Sequence, residues 1–115
     1  MNTITVHKKT DFGDVWNWYA KDNSFRFSIY CYEDDPGTIY LSNVFVQKEY
    51  RGLGYGNNIL DRAESIAKEF EASTIRLKAK KNSTARKWYE RHGYSYLSDD
   101  EENSRNVWME KKIAR

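Results

Sequence analysis

The chain has 115 residues, of which 39% are hydrophobic, 31% charged and 16% aromatic, with a formal net charge of +2. That length holds one compact domain and is too short for two. No run is apolar enough to span a bilayer, and so small a charge is far from the basic stripe of a dedicated nucleic-acid binder and by itself names no partner. Met1 to Val6 lack the charged start and apolar middle of a secretory signal. Cys31, the only cysteine, excludes an internal disulfide and fits a reducing compartment. The resulting expectation is one cytoplasmic domain over 1–115, monomer or homodimer, with no membrane partner.

Asn2 to Lys8 alternates Ile4 and Val6 with threonines, which predicts a strand. Asp11 is placed to cap a short helix running to about Ala20, with Val15, Trp16 and Tyr19 on one face and Gly13 as an opposing signal. Phe25, Phe27, Ile29 and Cys31 alternate with Arg26, Ser28, Tyr30 and Tyr32, so a half-buried strand follows. Asp34-Asp35-Pro36-Gly37 is a turn by its chemistry, and Thr38 to Val46 is the return strand of a hairpin. A glycine-rich turn leads into a helix on which Ile59, Leu60, Ala63, Ile66, Ala67 and Phe70 recur at helical spacing. Thr74 to Ala79 reads as a strand. Ser83 caps a helix from about Thr84 to His92, which Gly93 closes. Tyr94 to Leu97 and Val107 to Ile113 are the last strands, joined by the acidic run Asp99 to Glu102. The order is βαββαβαββ, an α/β (α+β) chain.

Chemistry concentrates in Val44 to Leu60. There a β-branched strand enters Arg51-Gly52-Leu53-Gly54-Tyr55-Gly56 and then an amphipathic helix. Glycines at alternate positions let the backbone reach φ > 0 and approach an anion, and the helix N-terminus adds its positive end. Gly56 is followed by Asn57 and Asn58 rather than Lys-Ser/Thr, so this is not a Walker loop. The glycine spacing also fails the dinucleotide fingerprint.

Val46, Arg51, Gly52, Gly54 and Gly56, with Lys48 in the place of a common proline, resemble motif A of the GNAT family of N-acetyltransferases. Asn82, Ala85, Tyr89, Gly93 and Tyr94 resemble its motif B, at the expected distance downstream. The resemblance covers about residues 38 to 113. It implies a central, mostly antiparallel mixed sheet flanked by helices. The usual two-helix segment would be cut here to one short helix, in a truncated N-terminal half with a strand in doubt.

The same resemblance implies acetyl-CoA as cosubstrate, no metal, and direct transfer of acetyl to a primary amine in a ternary complex. The acceptor is a protein lysine, a protein N-terminus or a small amine. Val44, Phe45 and Val46 would lie along the pantetheine arm, with the N–H of Val44 or Phe45 facing the thioester oxygen. Residues Arg51, Gly52, Leu53, Gly54, Tyr55 and Gly56 would cradle the pyrophosphate. Asn82 would bond the arm, and Tyr89 would protonate the departing thiolate.

Simpler roles stand beside these. Asn82 is also placed to cap its helix, Tyr89 to fill the core, His92 to meet a helix dipole and Cys31 to pack. For the general base the residues leave Glu33, a water held by Tyr40 and Ser42, or none. The shortened N-terminal half implies an open acceptor site, toward which Asp99 to Glu102 would attract a cationic amine, unless that run is only a solvated hairpin tip. The other classes are a non-catalytic acyl-CoA sensor or interaction module of the same fold, and a nucleic-acid binder using Lys78 to Lys87. The last is weaker, because no stacking aromatics interleave those charges.

Overall fold

The computed structural model describes residues 2–113. Strand-forming residues dominate the first half, and they give four consecutive antiparallel strands: β1 (Thr3–Thr10), β2 (Gly13–Ala20), β3 (Phe25–Tyr32) and β4 (Thr38–Val46). A single 3-10 turn, Lys48–Tyr50, precedes α1 (Tyr55–Glu69). Then follow β5 (Thr74–Lys80), α2 (Thr84–Arg91), β6 (Ser95–Asp99) and β7 (Asn106–Lys112). The strands form one seven-stranded sheet in the order β1-β2-β3-β4-β5-β7-β6. Only β4 and β5, joined by the α1 crossover, run parallel. Among the described residues no helix is long and apolar enough to cross a membrane.

The expected helix from Asp11 to Ala20 is a strand, so the observed order is ββββαβαββ, with seven strands among the described residues where six were expected. The reason is local. Thr10 Oγ1 accepts the N–H groups of Phe12 and Gly13, at 3.2 and 3.1 Å, which closes a tight turn in place of a helix cap. Gly13 then runs so close to β3 that a Cβ would sit 2.0 Å from the Cys31 carbonyl oxygen. Trp16, Trp18 and Ala20 alternate onto one side, and the buried Trp18 stacks on Phe27 at 5.1 Å. Val15 and Tyr19, which mimic helical spacing, point to the other side with Asn17.

Both helices lie on the Trp18 side. Ile59, Leu60, Ala63, Ile66 and Ala67 of α1 pack over Phe27, Ile29, Ile39 and Ile75, all at most 3% exposed. The Cβ position of Gly56 in α1 lies 2.9 Å from the Trp88 ring of α2, which brings the helix ends together on that face. Lys111 of β7 completes the link: its Nζ meets Glu64 of α1 at 2.9 Å and the His92 carbonyl at 2.9 Å. On the opposite side no helix of the described residues covers the sheet. That face is finished by cross-strand pairs instead, including Ser28 to Asn17, Arg26 over the Phe45 ring at 4.9 Å, and Arg76 to Glu110 at 3.3 Å.

Candidate active site

α1 begins without a capping side chain. Its N-cap, Gly54, has φ 90° and ψ 0°, and no acid occupies the first turn. Its earliest internal bond is the Asn58 N–H to the Gly54 carbonyl at 3.1 Å, so the N–H groups just before it are left to point out of the helix end. Gly52, at φ 79°, shares the left-handed conformation, and a Cβ on either Gly52 or Gly54 would meet nothing within 4 Å. These two glycines serve the backbone conformation and keep the approach clear. Gly56 differs: its φ is not positive, and its missing Cβ makes room for the Trp88 ring. The Arg51 side chain is tied to the end of β4 by a bond from Nε to the Val46 carbonyl at 3.0 Å. Arg91 of α2 stands on the same cleft, which has a volume near 690 Å³ and Val44, Val46 and Trp88 in its walls. Uncapped amides, a helix N-terminus and two guanidinium groups converge on one concavity suited to a pyrophosphate.

From that cleft the strands part. β4 pairs with β5 only over Thr38 to Tyr40, whereas β5 stays paired with β7 along its whole length. The edge of β4 beyond Tyr40 is therefore free on its β5 side, and its backbone groups are available to a ligand. A bulge falls in the same stretch: the β3–β4 register shifts between Arg26 and Ser28, and Asn43 adopts φ 55°. Asparagine tolerates that conformation, and its Nδ2 donates to Ser28 Oγ at 3.3 Å. The bulge re-aims β4 so that Val44 and Val46 turn to the helix side while Phe45 lies under Arg26.

Tyr89 faces this gap. α2 is capped at its start by Ser83, whose Oγ accepts the Arg86 N–H at 3.1 Å. At its end Gly93 takes φ 91°, the Tyr94 N–H reaches the Tyr89 carbonyl at 3.1 Å, and the Gly93 N–H reaches the Glu90 carbonyl at 3.1 Å. This is the glycine-closed helix end read from the sequence, and it fixes Tyr89 one turn from the terminus. The Tyr89 ring packs on Trp88 at 5.0 Å and on Tyr94 at 5.8 Å, and burial pushes its hydroxyl pKa up. Tyr89 and Val44 also border a second cleft of about 550 Å³ on the helix-free side of the split, together with Tyr40 and Ser42. Val44 thus stands in the walls of both clefts.

The remaining expected residues fall in several places. Leu53 is 67% exposed, and Tyr55 packs on Phe25 and Tyr50 at 5.7 and 5.6 Å; of these only Tyr50 lines the cleft. Asn82 is exposed, and Ser83 rather than Asn82 caps α2. His92 Nδ1 lies 2.8 Å from the Trp88 carbonyl, a helix-end contact. Glu33 is exposed and borders neither cleft, whereas Tyr40 donates its hydroxyl to Asp35 at 2.6 Å. Trp88 and Arg91 were not singled out in advance, although the glycine at position 56 is the trace in the sequence of the Trp88 ring.

The first two acids of the run are occupied internally. Asp99 pairs with Lys81 at 3.2 Å. Asp100 is buried, accepts the Glu102 N–H at 3.0 Å and lies 3.2 Å from Lys78 Nζ. Burial alone would raise the Asp100 pKa; the Glu102 amide and the Lys78 ammonium outweigh it and leave the carboxyl below its usual range. A depressed carboxylate contributes stability above the unfolded-state pKa, and that contribution fades as pH falls through the folded-state value. Asp100→Asn is accordingly expected to lower the melting temperature near neutral pH. The gap to the parent should close in acid, as thermal melts across the two conditions would record.

A family model described as an acetyltransferase (GNAT) domain matches residues 13–96, from the start of β2 into β6. The chain belongs to the GNAT acetyltransferase family. Solved structures share the architecture. Nourseothricin acetyltransferase matches with TM-score 0.70 at 17% identity, over 99% of this chain and 86% of its own. A GNAT-family acetyltransferase from Staphylococcus aureus matches with TM-score 0.69 at 19% identity, over 88% and 68%. PaiA N-acetyltransferase from Thermoplasma acidophilum, in complex with coenzyme A, matches with TM-score 0.70 at 21% identity, over 86% and 60%. At these identities the likeness is one of fold. In this GNAT chain a β1–β2 hairpin stands where the short helix was expected.

Proposed function

We propose that this GNAT domain transfers the acetyl group of acetyl-CoA directly to a primary amine while both substrates are bound. The observation that carries the proposal is the free edge of β4 beyond Tyr40, bordered at Val44 by a phosphate-suited cleft on one side and a second cleft on the other. The pyrophosphate would take the amides around Gly54 and the guanidinium groups of Arg51 and Arg91. The pantetheine amides would pair with the β4 edge that β5 leaves open, and Asn82, which lines neither cleft, would have to turn toward them. The N–H of Val44 or Phe45 would meet the thioester oxygen as charge develops on it. Phe45 would contribute through its backbone alone, since its ring lies under Arg26.

The amine lone pair attacks the thioester carbon, a C–N bond forms, the C–S bond breaks, and the thiolate takes the Tyr89 proton. Burial keeps that hydroxyl protonated through the neutral range, the state an acid needs. Among the described residues no carboxylate lines the second cleft, so the proton released from the amine passes to solvent, directly or through water held by Tyr40 and Ser42.

Incubation with acetyl-CoA and a panel of amines, read by mass spectrometry, is expected to give acetylated product and free CoA. Thermal protection by acetyl-CoA without product from any amine would instead favour the binding-only module.

A further inference from the structure

The second cleft has a composition that limits what enters it. Its wall carries the rings of Tyr30, Tyr32, Tyr40 and Trp108, one charged group, Lys78, and no acid. The rings form a connected set: Tyr30 and Tyr32 lie near parallel at 6.3 Å, Tyr40 meets Tyr32 edge-on at 5.0 Å, and Trp108 meets Tyr40 edge-on at 5.8 Å. They come from three strands, and cross-strand registers hold them on the helix-free face. Tyr30 sits opposite Tyr40, and Lys78 opposite Trp108.

Faces and edges presented together suit a planar ring, which gains offset or edge contacts on several sides. They would also suit a cation, but here the chain supplies its own. Lys78 Nζ lies 4.8 Å from the Trp108 ring centroid, so that ring already has an ammonium against it. Asp100, the carboxylate paired with Lys78, is only 4% exposed and is not in the cleft wall. A second ammonium entering would find the nearby acids already engaged, Asp100 by Lys78 at 3.2 Å and Asp35 by the Tyr40 hydroxyl at 2.6 Å and by Arg76 at 3.9 Å, so no free carboxylate is left to pair with it.

We infer that the acceptor is a weakly basic primary amine attached close to a planar ring, bound uncharged, rather than a lysine-like alkylammonium. The inference rests on the acetyltransferase reading above and narrows its substrate class. It also removes the need for a protein base before attack. An amine that arrives with its lone pair free forms the C–N bond directly, and the proton it then carries is lost to water at the open mouth of the cleft.

Four probes separate ring from basicity. Tyrosinamide has a ring and a weakly basic α-amine, and alaninamide has the amine without the ring. Tyramine has the ring with a strongly basic amine, and Nα-acetyl-lysinamide has a strongly basic amine and no ring. Near neutral pH the full chain with acetyl-CoA is expected to acetylate tyrosinamide with kcat/KM at least tenfold above each of the others. Tyr32→Leu alters an exposed ring that does not border the phosphate cleft, so thermal protection by acetyl-CoA should persist while the advantage of tyrosinamide over alaninamide falls several-fold. Protection by acetyl-CoA combined with equal rates for all four, preference for the lysine analogue, or transfer to none of them would overturn the inference. Absence of protection by acetyl-CoA would overturn the acetyltransferase reading itself.

Discussion

Replacing Gly54 with valine is expected to abolish the thermal protection that acetyl-CoA gives, while leaving the domain folded. Two effects act at one position. At φ 90° a β-branched residue is strained by about 1–2 kcal/mol, enough to lower the melting temperature without unfolding a domain of ordinary stability. The added methyl groups would project into open space at the uncapped end of α1, where the phosphates are proposed to lie. Serine at position 56 is the instructive contrast. There the added atom meets the Trp88 ring at 2.9 Å, so stability and the seating of α2 would suffer first, and CoA affinity through them. If the Gly54→Val protein is protected as well as the parent, the phosphate site lies elsewhere.

Tyr89→Phe is the second large effect. The ring keeps its contacts with Trp88 and Tyr94, so the fold and acetyl-CoA protection should be retained. Loss of the hydroxyl removes the proposed proton donor, for which a fall in kcat of roughly 100-fold is expected with little change in KM for acetyl-CoA. The pH profile gives a further check. A tyrosine whose pKa is raised by burial stays protonated past the ordinary value of about 10, so the alkaline limb that depends on it should lie above that value in the parent and be missing in the variant. Equal rates for parent and variant would reduce Tyr89 to a packing residue.

Much of the second half of this chain was legible because its signals are local. The spacing of Ile59, Ala63 and Ile66 needs only a helix to explain it, and Gly93 ends α2 in the way a glycine there should. The positive φ of Gly52 and Gly54 was legible for the same reason, although the third glycine of the turn has a different cause. Gly56 answers to a ring that arrives from α2, thirty-two positions along, and the glycine marks that close approach without naming the partner. The β2 strand was misread because Val15 and Tyr19 satisfy a helical period as well as an alternating one. What decided the case was the packing of Gly13 against Cys31 and of Trp18 against Phe27, both partners lying on another strand.

The aromatic cleft was hidden for a related reason. Tyr30, Tyr40 and Trp108 are ordinary solvent-face residues until the register places them side by side. The separation of β4 from β5 is a property of pairing, and composition carries no mark of it. Asn43 was the one residue that could have hinted at the bulge, since asparagine within a β-branched strand is an uncommon choice.

The gap between β4 and β5 has a kinetic meaning. Its two sides are each held by a different neighbour, β3 for one and β7 for the other, and neither bond set has to break for a ligand to enter. The pairing itself leaves the slot open before any ligand arrives. Binding of the thioester arm should therefore proceed without a preceding conformational step, with an association rate that rises linearly with acetyl-CoA concentration and shows no plateau from a slow isomerisation.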